Sequence, residues 1–127
     1  MRNGGMKAVA DATIDRWFTG IGRKKMPEKV KRVKDLILGT SSEGFCSCCE
    51  AIRELDLREI LPGIKVPTLV IVGALDVGTP VAASRLIAEK AATSELKIIP
   101  DDAHFVNVER ADIFNELLLD FLKKHSA

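Results

Sequence analysis

Apolar positions change their spacing partway along the chain. Up to about residue 62 they recur every three or four places. Met6, Val9, Ala10, Ile14 and Trp17 make one stripe of a first helix. TGIGRKK, at 19–25, reads as a basic loop. Pro27 can open a second helix, since a proline in the first turn sacrifices no intrahelical donor. Val30, Val33 and Ile37 then share a face, and Gly39 stands where that helix should end. Phe45, Cys49 and Ile52 mark a third helix. DLRE at 56–59 has the Asp-x-x-Glu form of a capped start, and the Pro-Gly pair at 62–63 breaks the chain after it.

Beyond residue 63 the period shortens. TLVIV at 68–72 is apolar and β-branched on both parities, the pattern of a strand covered on both faces. Thr79 and Pro80 supply a cap and a first-turn proline for a helix carrying Val81, Leu86 and Ile87. LKII at 96–99 is a second short strand. From about 109 to 124, Ile113, Leu117, Leu118 and Phe121 fall on one stripe, with Lys123 and Lys124 near the C-terminal end, where cations are favoured. The order β-α-β-α predicts two parallel neighbours joined by a right-handed crossover. The fold class is α/β. Residues 1–127 form a single domain, helical over 1–62 and β-α-β-α over 63–127, a length that buries a modest core.

Composition narrows the partners. The chain is 46% hydrophobic and 29% charged with a formal net charge of +1, so no general attraction to nucleic acid or membrane is expected. No apolar run approaches the ~20 residues of a membrane span. The first residues lack the basic-then-apolar layout of a secretory signal, which makes the cytoplasm the expected location. Seven Lys or Arg fall among the twelve residues from Arg23 to Lys34. Their apolar neighbours keep helical spacing and no aromatic is interleaved, so a solvated helix face is expected rather than an RNA-binding one. Cys46, Cys48 and Cys49 are too few and too crowded for a disulfide framework, and no second ligand pair accompanies them. They read as small apolar packing residues, and neither a metal nor a cofactor is expected.

Two turns carry the candidate chemistry. Parallel neighbours end at the same edge of a sheet, where ligands bind in open α/β folds. Asp76 lies just past the first strand and His104, in PDDAHFV, just past the second. Strands ~5 Å apart therefore bring a carboxylate toward an imidazole. Such a pair fixes the imidazole tautomer and stabilises the imidazolium that forms when the ring takes a proton from a nucleophile. Taken singly, Asp76 fits a turn residue and His104 a core histidine. Their matched placement at one edge points to a catalytic pair.

VPTLVIVGALDVGTP and DDAHFVNVERADIFNELLLDFL resemble the C-terminal part of the α/β-hydrolases. There the acid follows a strand ending in Gly-x-x-Asp, as Gly73 to Asp76 does here, and the histidine precedes the closing helix. Ala103 stands where that family commonly has glycine. ADATIDRWF at 10–18 and EGFCSCCEAIRELDLREILPGIKVPTLVI at 43–71 are similar to the helical lid and following helix of 3-oxoadipate enol-lactonases. The resemblance implies a partial α/β-hydrolase fold, with a lid region followed by the acid and histidine elements. It implies Asp76 as triad acid, His104 as general base, and a small carboxylated lactone or ester as substrate. Trp17 would line the pocket, or equally serve as a core aromatic.

The same resemblance sharpens what is missing. No Gly-x-Ser-x-Gly elbow occurs in the 127 residues, and GTSSEG at 39–44 is one residue too long and follows a helix. GFCSC at 44–48 offers Cys46 in a dienelactone-hydrolase-like position, but no strand precedes it and Cys48 replaces the last glycine. The chain reads as the second half of an enzyme, idle alone. A homo-oligomer, or a partner bringing the N-terminal hydrolase half, is expected to complete the sheet. The alternative is a non-catalytic module that dimerises or holds a small acid.

Overall fold

Met6, Ala10 and Ile14 fall about one turn apart, and burial of their stripe drives α1 (Lys7–Trp17) onto the core. The structure, a computed structural model, describes residues 4–126. Phe18, only 1% exposed, completes that stripe in place of Trp17. The backbone turns extended at Phe18, which swings its ring inward and leaves Trp17 half-buried.

The basic stretch after it is not a loop. Thr19 takes an extended conformation and its Oγ1 accepts the Gly22 N–H at 2.8 Å, capping α2 (Gly20–Lys25). The cap and the burial of Gly22 outweigh the loop preference of two glycines. α3 (Pro27–Leu38) opens on its proline, stops at Gly39 and turns Ile37 inward, as the spacing predicts. Its cationic face is solvated: Lys31 pairs with Asp35 and Lys34 with Asp11 at the surface.

α4 (Ser42–Arg53) is capped by Ser41, yet none of its residues is fully buried. Cys46 is half-buried, and Cys48 and Cys49 are exposed, so the cysteines do not pack as a small apolar group. Residues 56–59 do not start a helix either. Asp56 Oδ1 accepts the Arg58 N–H at 3.0 Å in a tight turn, and a 3₁₀ turn follows at Leu61–Gly63. Pro62 comes too soon for a nucleated turn to propagate.

β1 (Thr68–Gly73) and β2 (Ser94–Ile99) pair in parallel, from Thr68 opposite Ser94 to Gly73 opposite Ile99. α5 (Val81–Lys90) crosses between them. Val81 and Leu86 are half-buried, but Ile87 is exposed. Covering of both strand faces holds only at the end of β1, where Val72 and Gly73 are buried; residues 68–71 are half-buried. Among the described residues the sheet has two strands, and each keeps a free edge. The closing segment splits at Arg110 into α6 (Val106–Glu109) and α7 (Ala111–His125). Ile113, Leu117, Leu118 and Phe121 lie half-buried on α7.

Candidate active site

The site is set by how tightly the turns after β1 and β2 are sewn together. The Ala74 N–H donates to the Ile99 carbonyl and the Leu75 N–H to the Asp102 carbonyl, both at 2.8 Å. Gly73 makes this approach possible, because a Cβ there would collide with the carbonyls of Asp102 and Ala103. Asp101 turns the second loop with φ at 58°, a left-handed conformation that aspartate tolerates better than most residues. Ala103, in the usual glycine position, is buried without strain of that kind.

Asp76 is 6% exposed and surrounded by donors. Oδ1 accepts the N–H groups of Gly78 and Thr79, each at 2.9 Å, and Oδ2 accepts the Thr79 hydroxyl at 2.7 Å. His104 Nδ1 lies 2.7 Å from the same Oδ2. Burial pushes the Asp76 pKa up, but donors from Thr79, His104 and Gly78 outweigh it and hold the carboxyl below its ordinary range. An ionised carboxylate only accepts, so Nδ1 carries a proton, and in the neutral ring the lone pair is then on Nε2. Thr79 does not cap α5. The Pro80 carbonyl instead takes the first helical bond, from Ala83 at 2.8 Å, and Thr79 serves Asp76.

Trp17 is half-buried and packs against the core cluster, and it does not line the cleft described below. Its indole stacks on the His104 ring at 5.8 Å between centroids and lies 4.8 Å from the Phe105 ring. Its carbonyl accepts the Phe105 N–H at 3.0 Å, binding the helical region to the histidine turn. A second tie was not evident from sequence. Glu109 accepts the Thr19 N–H at 2.9 Å and the Thr19 hydroxyl at 2.7 Å. A Cβ at Gly22 would strike that carboxylate. The Asp-x-x-Thr spacing, with its turn-forming potential, was a usable signal for Thr79; no local signal pairs Glu109 with Thr19, ninety residues away.

Asp102 supports the histidine turn from below. It is 1% exposed; Oδ1 accepts the Ala103 N–H at 2.9 Å and Oδ2 has no partner among the described residues. Burial pushes its pKa up to about 6, opposed by the Ala103 N–H and reinforced by the neighbouring Glu109 charge. A cleft of about 800 Å³ opens beside the pair, between α2 and the two turns, lined by Thr19, Ile21, Lys24, Leu75 and Asp101 among others. His104 does not line it; its side chain is 35% exposed. The arrangement can hold an imidazole in one tautomer and leave its other nitrogen free to move a proton.

No family model matches the chain. It is 35% identical over 124 residues to 3-oxoadipate enol-lactonase 2 of Acinetobacter baylyi, covering 98% of this chain and 46% of that protein. The enol-lactonase of Burkholderia xenovorans LB400 superposes with a TM-score of 0.92 at 41% identity, over 96% of this chain and 46% of the other. A hydrolase of Pseudomonas aeruginosa PA01 gives 0.86 at 31% identity, over 93% and 44%. The chain spans just under half the length of the two 3-oxoadipate enol-lactonases of Acinetobacter baylyi that it matches. It is homologous to the 3-oxoadipate enol-lactonases and has the C-terminal portion of an α/β-hydrolase fold.

Proposed function

We propose that the chain carries the acid and base of a carboxylic-ester hydrolase of the enol-lactonase type. Asp76 is the acid, His104 the general base, and Trp17 a wall of the pocket. The observation that supports this is the 2.7 Å contact between His104 Nδ1 and the buried Asp76 carboxylate. With Nδ1–H held, Nε2 takes the proton of a nucleophile as it attacks the ester or lactone carbonyl, and the carboxylate stabilises the imidazolium. The same proton then passes to the leaving oxygen. A small carboxylated lactone is the substrate class suggested by the names of the relatives.

The nucleophile is not among these residues. Cys46 sits inside α4, behind no strand, so it lacks the strand–turn–helix context of a nucleophile elbow. We assign the nucleophile to a partner segment that brings Gly-x-Ser-x-Gly and the strands before it. The test mixes the 127-residue chain with the remaining, N-terminal part of an enol-lactonase and follows hydrolysis of an activated ester. Turnover is expected in the mixture, falling roughly 10²–10⁴-fold with His104→Ala. His104-dependent turnover by the chain alone, or an assembled complex that stays inert, would overturn the assignment. A second reading, a self-associating module without catalysis, is favoured by the exposed apolar connector at 52–66, where Ile52, Leu55, Ile60 and Val66 are 59–66% exposed.

A further inference from the structure

The thiols of α4 are nucleophiles to which the hydrolase reading gives no task. All three are free; Cys46 is half-buried, and Cys48 and Cys49 are exposed. Cys46 and Cys49 are three residues apart in a helix, so their Cα atoms lie about 5 Å apart and their side chains share a face. Cys48 projects about 200° around the axis from Cys46 and belongs to another face.

That spacing selects a chemistry. A disulfide requires Cβ atoms about 3.5–4.5 Å apart. Helical neighbours at this spacing hold them at about 5–6 Å. A single soft atom bonded to both sulfurs, at about 2.3 Å per bond as in zinc thiolates, spans the wider gap without unwinding the helix. Among the described residues no group of three or more His, Cys, Asp or Glu has the geometry to hold a metal ion, so a closed multi-ligand site is not built here. Two thiolates suit a centre that is satisfied by two sulfurs.

We propose that Cys46 and Cys49 form a dithiol chelate for a thiophilic centre, of which a trivalent arsenical is the representative chemistry. With an arylarsine oxide, two As–S bonds form while two S–H bonds and the arsenic–oxygen bond break. Both protons leave with the oxygen as water, and neither arsenic nor sulfur changes oxidation state. Cys48 takes no part.

The experiment treats the reduced full chain with phenylarsine oxide, blocks remaining thiols with iodoacetamide, and maps the products by mass spectrometry. One arsenical per chain is expected, with alkylation confined to Cys48. The adduct should survive excess glutathione, a monothiol, and be stripped by dithiothreitol. Cys46→Ser and Cys49→Ser should each weaken binding by roughly 10²-fold or more, the loss of a second tethered contact, while Cys48→Ser leaves it unchanged. An adduct displaced by glutathione, or Cys48→Ser weakening binding as much as Cys46→Ser, would overturn the proposal.

Discussion

Asp76 and Asp102 are both buried carboxyls in the two turns of the site, yet they respond to pH in opposite senses. Asp76 meets donors on both oxygens, so folding lowers its pKa. Its contribution to stability is present above the ordinary carboxyl value and is lost as pH falls through the lowered one. Asp76→Asn keeps one acceptor oxygen but cannot serve all the donors, and should cost about 2–3 kcal/mol at pH 7. Urea unfolding at pH 7 and pH 3 checks this, the difference from wild type shrinking at the lower pH. Among the described residues, Asp102 has an unpartnered Oδ2 beside Glu109, and folding raises its pKa to about 6. Stability from this group is fully present below the ordinary value of 3.8 and is lost as pH rises through about 6. Asp102→Asn should therefore come close to wild type near pH 4 and be the more stable of the two near pH 7.5. An Asn variant no more stable than wild type above pH 7 would show that Oδ2 is satisfied.

At the scale of elements, the site depends on the approach of the β1 turn to the β2 turn, and Gly73 controls that approach. The atoms a Cβ would meet are backbone carbonyls, which cannot swing aside as a flexible side chain can. Gly73→Ala should destabilise by about 1–3 kcal/mol, as overpacking commonly does. It should also separate the Asp76 and His104 turns, seen as loss of the downfield Nδ1 proton resonance of His104. Retention of that resonance at wild-type stability would contradict this account of Gly73. The strands, their parallel pairing and the Asp76–His104 edge were legible because each rests on local alternation, turn residues and a general rule of crossover handedness. What could not be read depends on contacts between distant segments. α2 forms where two glycines suggest a loop because Thr19 caps it locally and is also tied to Glu109. Phe18, rather than Trp17, completes the core stripe because the chain turns extended just after the helix. Thr-Pro at 79–80 has the form of a cap, but the buried Asp76 competes for the Thr79 hydroxyl and N–H.

For the whole molecule, surface area is the informative quantity. A monomeric globular protein of 13.9 kDa exposes about 6,700 Å² by the usual scaling with mass. This chain exposes 8834 Å². The excess of about 2,000 Å² exceeds the ~800 Å² that one partner contributes to a standard interface and lies within the ~1,000–2,500 Å² that one partner contributes to a permanent complex. One stretch of it is the connector from α4 to β1, where Ile52, Leu55, Leu57, Ile60 and Val66 are each 48–66% exposed. Free strand edges add unpaired backbone donors and acceptors, which favour strand addition. Two parallel strands rarely persist without further strands or cover, so association and folding should be linked. Sedimentation velocity across a concentration series should show a weight-average mass above that of one chain, with thermal stability rising alongside it. Placing charge in the connector, as in Leu57→Glu with Ile60→Lys, should abolish the association at neutral pH because each charge would be desolvated at the interface. A chain that stays monomeric and unfolds cooperatively at the same temperature from low to high concentration would mean that α5, α7 and the helical region cover the sheet well enough by themselves.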